Sequence, residues 1–283
     1  MNLLEAAQAR GLPTFIWGVG MDDELNPVFF RAQGKRRLLL SAFGLVKWYE
    51  NRLRKHLSMR IQSILPKCKG IWLRDPESAR ILETFGYANA KVTADTAAFL
   101  PPPQEKSPRQ KENAPAHTLG ICISTQRQVT DLHGVEMLIS EVRANGCKIL
   151  GIPMNPRTDR ELLRQMGVEC IEGTSPDDVM AAAATCDLVL SSRLHLLILA
   201  ANAGTPGIGV ARGSKIANWL ANFGEKPLGT VGECDWEAAT RRVLAALDGE
   251  GAEDWERRRE AAYGRLAARF EAARAELAEK LKG

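Results

Sequence analysis

The sequence predicts an α/β protein built from two parallel-sheet domains with a proline-rich connector between them. Three observations carry that expectation. Short apolar runs alternate with amphipathic stretches of helical length on both sides of residues 101–117, the pattern of strands joined by crossover helices. The connector itself, PPPQEKSPRQKENAPAH, has no apolar periodicity and is rich in proline and charge, so it reads as a linker. Finally, 283 residues with 45% hydrophobic and 25% charged side chains suffice for two cores of ordinary size, and the composition is that of a globular chain, not a disordered or fibrous one.

In the first half, a helix is expected over residues 2–10, closed by Gly11, and then a strand at Thr14-Phe-Ile-Trp. A glycine-rich turn leads into a long basic amphipathic segment reaching about residue 65. A strand follows at Gly70-Ile-Trp-Leu-Arg. The next helix has a clear start, with Asp75 placed to cap it and Pro76 at its first position, and it ends near Gly86. A short strand at Lys91-Val-Thr-Ala completes this region.

Beyond the connector, strands are expected at 118–124, 148–153, 168–171, 187–191 and 207–211, alternating with helices at 134–145, 158–166, 176–185, 193–203 and 215–223. Ser175-Pro-Asp-Asp opens the helix at 176 with a cap, a proline and an acid at the third position. This half reads as a doubly wound sheet. From Glu253 to Leu281, one stripe holds Trp255, Leu266, Phe270, Ala273, Leu277 and Leu281, so an amphipathic helix is expected to pack back across the domains. The expected division is therefore 1–100, a linker at 101–117, 118–235, and C-terminal helices at 236–283.

Several function classes lose ground at this stage. Six cysteines (Cys68, Cys122, Cys147, Cys170, Cys186, Cys234) have no C-x-x-C spacing and read as reduced thiols, not a disulfide framework or zinc site. His56, His117 and His133 have no partner pattern suggesting a metal or a triad, and no metal is expected. No apolar run of about 18 residues exists, so no spanning helix is expected. The first residues lack the basic and long apolar regions of a signal peptide, which gives a cytoplasmic expectation. The net charge of +4 argues by itself neither for nor against nucleic acid, and no nucleic-acid partner is expected. Its distribution says more. Residues 31–60 hold nine Lys/Arg against Glu50 alone, which fits either a solvated helix face or a surface that meets an anionic acceptor or a membrane. Gly18-Val-Gly20 lacks the third glycine of a dinucleotide fingerprint, and Gly209-Val-Ala-Arg-Gly-Ser-Lys215 has the wrong spacing and order for a phosphate loop.

The candidate site is the run SSRLHLLILAANAGTPGIGV, residues 191–210. Doubly wound sheets bind ligands beyond the carboxyl ends of their strands, where helix N-termini present unpaired N–H groups. Ser191, Ser192, Arg193 and His195 fall at such an end. Two hydroxyls, a guanidinium, an imidazole and a positive helix end describe a site for a phosphate or a carboxylate. The other reading is a capped turn, with Ser192 closing the helix and Arg193 and His195 in solvent. Lys215, at the next helix start, and Arg127, past the first strand of the second half, are further candidates for holding an anion.

Arg193-Leu-His195 followed by LLILAANAGTPGIGV, with Lys215 downstream and Trp72-Leu-Arg-Asp-Pro-Glu-Ser-Ala-Arg-Ile-Leu near the middle, resembles the polysaccharide pyruvyl transferases. Val92-Thr-Ala-Asp95 and Gly151-Ile-Pro-Met-Asn-Pro with Asp159 extend the resemblance over most of residues 70–224. It implies two Rossmann-like domains and transfer of the enolpyruvyl unit of phosphoenolpyruvate to a sugar, usually as a cyclic ketal, without a cofactor. Carried over, Arg193 contacts the donor's phosphate or carboxylate and His195 is the general acid, with Ser192, Lys215 and Arg127 as donor-binding residues. Family members open with a strand and a glycine-rich loop bearing Asn and Gly-Asp-Glu, whereas this sequence opens at a helix, so the N-terminal, acceptor-side domain is expected to be shortened. The same resemblance implies a glycan or lipid-linked saccharide acceptor, and the basic charge of residues 31–60 would give peripheral contact with the inner face of the membrane. A partner chain or oligomer completing the N-terminal half is a further expectation. Two other functions compete: a two-Rossmann glycosyltransferase or epimerase using a nucleotide sugar, and a non-catalytic shortened relative acting as a binding subunit.

Overall fold

The computed structural model describes residues 2–21, 31–32, 34–102, 117–124, 132–211, 213–230 and 233–282. The chain divides into two compact units. The first comprises Met1–Asp95 with Arg265–Gly283, and the second Thr96–Gly264.

In the first unit, strands β1 (Phe15–Val19), β2 (Gly70–Leu73) and β3 (Lys91–Val92) form a parallel sheet in that order. Helix α1 (Asn2–Ala9) precedes β1, α2 (Gly34–Ala42) and α3 (Val46–Ile64) separate β1 from β2, and α4 (Pro76–Thr84) connects β2 to β3. The start of α4 is set as the sequence predicts: the Asp75 carboxylate accepts from the Ser78 N–H at 2.7 Å, and Pro76 takes the first turn. Ile61, Leu65, Ile71, Leu73, Leu82 and Phe85 pack as the core of one face. On the other face, buried Trp72 lies 5.5 Å from Trp17, which meets Phe270 edge-on at 5.5 Å. Phe270 belongs to the long C-terminal helix α11 (Ala252–Lys282), whose Glu276 accepts from Lys91 at 2.7 Å and from Trp72 Nε1 at 3.4 Å. The apolar stripe read in the sequence thus covers the sheet here through Phe270, and through Leu266 and Ala273, both buried.

The second unit has a four-stranded parallel sheet ordered β5-β4-β6-β7: β4 is Thr118–Cys122, β5 Lys148–Gly151, β6 Leu188–Ser191 and β7 Gly207–Gly209. Isolated parallel bridges add one position at each edge, Gly151 to Cys170 and Ala211 to Thr230. The predicted strand at 168–171 is only this bridge, because a single turn of chain separates α6 (Asp159–Gln165) from it and the segment leaves immediately for α7 (Pro176–Ala184). Helix α7 begins with a full capping box between Ser175 and Asp178. One face of the sheet is covered by α5 (His133–Ala144), α6 and α10 (Trp236–Leu247), through Leu138, Leu163, Val243 and neighbours. The opposite face is covered by α7 and α8 (Leu194–Asn202), through Met180, Leu196 and Ala200. β7 approaches α9 (Ser214–Ala221) closely at Gly209, where any Cβ would lie 2.5 Å from Ile216, so the position requires glycine.

None of the six cysteines is disulfide-bonded. Among the described residues no helix is long and apolar enough to cross a membrane, and no cluster of three His, Cys, Asp or Glu side chains is suited to a metal ion.

Candidate functional site

The connections leaving β4 and β6 turn to opposite faces of the sheet: β4 runs to α5 on one face and β6 to α8 on the other. Between two such strands a crevice opens at their carboxyl ends, the place where doubly wound sheets take ligands. Residues 191–195 stand at that switch point.

The backbone there is pinned by serine hydroxyls. Ser192 Oγ accepts from the Ser124 N–H at 2.8 Å, joining the end of β6 to the end of β4. Ser191 Oγ accepts from the Arg193 N–H at 2.8 Å and donates to the Arg193 carbonyl at 3.0 Å. Ser124, Ser191 and Ser192 are all buried. The capped-turn reading holds for the exposed His195 but not for Ser192. Ser192 does not close the helix: the residue at the cap position of α8 is Arg193, in extended conformation, and it makes no side-chain cap hydrogen bond. The first turn of an α-helix has N–H groups without intrahelical acceptors, and the side chain at the cap position, Arg193, does not bond to them.

Arg193 is held by Asp159. Its Nε and Nη2 donate to the two oxygens of that carboxylate at 3.0 and 2.7 Å, a bidentate pair. Asp159 is fully buried while a fifth of the Arg193 side chain remains in solvent. The carboxylate also accepts from the Asn155 N–H at 2.9 Å, from Thr158 Oγ1 at 3.2 Å and from Cys122 Sγ at 3.5 Å. Burial, and then the Asp159 charge, push the Cys122 thiol far above the ordinary range, so it stays neutral. Two of the five guanidinium N–H groups are used on Asp159, and among the described residues Arg193 makes no other side-chain hydrogen bond, so the Nη1 side of the guanidinium has donors not used on Asp159.

His195 lies one residue into α8 with its side chain exposed. Lys215 lies in the first turn of α9, half-buried, behind Gly213 at the cap position; α9 also lacks a side-chain cap. Ser192, Arg193 and His195 are thus brought to one strand end, and Lys215 follows the neighbouring strand, β7. Arg127 lies outside the described residues.

Sequence reasoning gave Asp159 no role of its own. Its signal was faint: an aspartate at the start of a helix just past the carboxyl end of β5, behind the Asn155 side chain, whose carboxamide oxygen accepts from the Arg157 and Thr158 N–H groups. A concave region lined by His117, Asp187, Gly207, Arg242 and Arg258 lies at the amino ends of β4, β6 and β7. That is the end of a parallel sheet opposite to where ligands bind.

Solved structures resemble the chain at the level of fold. MnaA of S. aureus, solved with UDP, superposes with a TM-score of 0.56 at 11% identity, over 88% of this chain and 63% of MnaA. TarM gives 0.54 at 12%, over 82% of this chain and 46% of TarM. Anabaena HepE, solved with UDP and glucose, gives 0.54 at 13%, over 99% of this chain and 74% of HepE. The chain thus spans less than two thirds of the length of MnaA and under half of TarM. These likenesses show the fold alone, a two-Rossmann-like arrangement that agrees with the two α/β units. A search of curated proteins gave no match. A family model for polysaccharide pyruvyl transferases matches residues 1–214, a span that takes in both sheets, the Arg193–Asp159 pair and the start of α9, and so the chain belongs to the polysaccharide pyruvyl transferase family, a family of enzymes.

Proposed function

We propose that the protein transfers the pyruvyl unit of phosphoenolpyruvate to a sugar of a polysaccharide or its lipid-linked precursor as a ketal, with the donor bound beyond the carboxyl ends of β4 and β6. One observation carries the reading: a guanidinium fixed by a buried carboxylate at the switch point, beside a helix start with no side-chain cap. The pair leaves one planar N–H edge for a phosphate or carboxylate, and the α8 amides add donors and a positive partial charge.

The chemistry follows from those parts. Protonation of the donor's methylene carbon places positive charge on C2. A sugar hydroxyl adds there and loses its proton, phosphate departs with the C–O bonding pair, and a second hydroxyl adds to the resulting oxocarbenium carbon and loses its proton to close the ketal; one released proton restores the acid and the other goes to phosphate. His195 serves as the acid, since imidazole holds a transferable proton near neutral pH. Arg193, assisted by Lys215, Arg127 and the Ser192-anchored loop, stabilises the departing phosphate, an electrostatic role that needs no metal or cofactor. The acceptor side belongs to the first unit, alone or completed by a partner chain, and the reaction takes place in the cytoplasm at the inner face of the membrane.

The competing donor is a nucleotide sugar, because MnaA and HepE were solved with UDP. Calorimetric titration separates the two. Saturable binding of phosphoenolpyruvate, weakened in Arg193→Gln that remains folded, supports the proposal. Binding of UDP-sugars without phosphoenolpyruvate assigns the crevice to glycosyl chemistry, and a folded protein that binds neither is a non-catalytic relative.

A further inference from the structure

Helix α2 has no buried residue. An isolated helix of fewer than about 12 residues is marginal in water and is ordinarily held by an apolar face packed on a core. Here the apolar face points outward. Lys35, Leu38, Leu39 and Ala42 recur at helical spacing on one side, and Phe43, Leu45 and Trp48 continue the patch through the turn into α3. Leu38 is 76% exposed, Leu39 65%, Phe43 71% and Trp48 56%. Large apolar side chains this exposed and this close in sequence mark a docking surface.

The charge around the patch selects its occupant. Lys35, Arg36, Arg37, Lys47 and Arg52 flank it, and the one acid within residues 31–60, Glu50, is engaged by the Ala32 N–H at 3.2 Å. Arg36 lies over the Tyr49 ring and Arg52 over the Trp48 ring, each stacked along the apolar surface with its charge kept at the rim. A second copy of the chain would set two such basic rims against each other. An anionic polymer would complement the charge but leave four leucine and aromatic side chains in water. We propose that residues 34–55 dock this protein onto an anionic lipid surface, with Leu38, Leu39, Phe43 and Trp48 entering the acyl boundary and the basic rim among the headgroups. The proposal rests on the first unit alone and does not depend on which donor the second unit binds.

Flotation of the full chain with phosphatidylcholine vesicles, with and without phosphatidylglycerol, tests it. Binding to the anionic vesicles, weakened by salt and at least about ten-fold weaker to neutral ones, is expected. The triple variant Lys35→Gln/Arg37→Gln/Lys47→Gln is expected to bind the anionic vesicles on the order of a hundred-fold more weakly, at about five-fold for each cation. Leu38→Glu/Phe43→Glu is expected to lose more than about ten-fold. These side chains are exposed, so the variants should melt with the wild type. Equal binding to both vesicle types, no binding, or binding unchanged in either variant overturns the proposal. So does self-association in sedimentation that Phe43→Glu abolishes while vesicles fail to bind, which would assign the patch to a second copy.

Discussion

Asp159→Asn tests the electrostatic centre of the site. The substitution keeps the shape of the side chain but removes its charge and turns one acceptor oxygen into a donor. At the Oδ1 position that donor faces Arg193 Nη2, and at the Oδ2 position it faces both Arg193 Nε and the Asn155 N–H, all of them donors at 2.7 to 3.0 Å in the native arrangement. Removing one partner of a buried pair costs about 3–5 kcal/mol. Because a fifth of the Arg193 side chain is in solvent, water relieves part of the orphaned charge, and the low end, about 3 kcal/mol, is expected. For a unit of this size that corresponds to a fall in melting temperature of roughly 6–12 °C. A double-mutant cycle with Arg193→Gln isolates the pair. Each single variant leaves a buried group without its partner, whereas the double variant sets two amides side by side, so it should be less destabilised than the sum by at least about 1.5 kcal/mol. Urea unfolding of the four proteins, read at the transition of the second unit, supplies the numbers. Additivity within about 0.5 kcal/mol would refute the claim that Asp159 holds Arg193 in place.

Other consequences are simpler to check. Ser192→Ala removes the buried hydroxyl that accepts from the Ser124 N–H at 2.8 Å and should cost about 1–3 kcal/mol in the same urea assay. His195→Ala should retain phosphoenolpyruvate binding by calorimetry while phosphate release falls about 10²- to 10⁴-fold, and an unchanged rate removes it as the acid. Burial pushes the Cys234 thiol up to about 11 and the Cys122 thiol higher still. Both therefore ionise later in the folded chain than in the unfolded one, and their contribution is intact below the ordinary thiol range and lost as pH rises from about 8.5 toward about 11. Stability measured across that window should decline, and by less in Cys234→Ser.

The sequence made the order of strands and helices legible because capping residues and apolar runs are local. Asp75-Pro76 and Ser175 through Asp178 start helices as their chemistry dictates. Strand ends were read too long: Val210 and Ala211 are buried beyond β7, where Val210 still donates to the Ser191 carbonyl of β6 at 2.9 Å and Ala211 makes an isolated bridge to Thr230. A continuous apolar run reports burial, not pairing. The candidate site was half legible. Serines, arginine and histidine after a buried strand point to an anion, but a sequence does not show that Arg193 is shared with a carboxylate 34 positions earlier, because only the sheet order β5-β4-β6 brings the two together. The exposed apolar face of α2 was hidden for the opposite reason. By periodicity alone its leucines look like core residues.

Hydrogen exchange with and without phosphoenolpyruvate tests the central claim most directly. Slowed exchange at the amides of residues 193–197, 155 and 157–159, with no change at the amino ends of β4, β6 and β7, is the predicted result. Protection confined to those amino ends, or protection of residues 193–197 by a UDP-sugar and not by phosphoenolpyruvate, would contradict it.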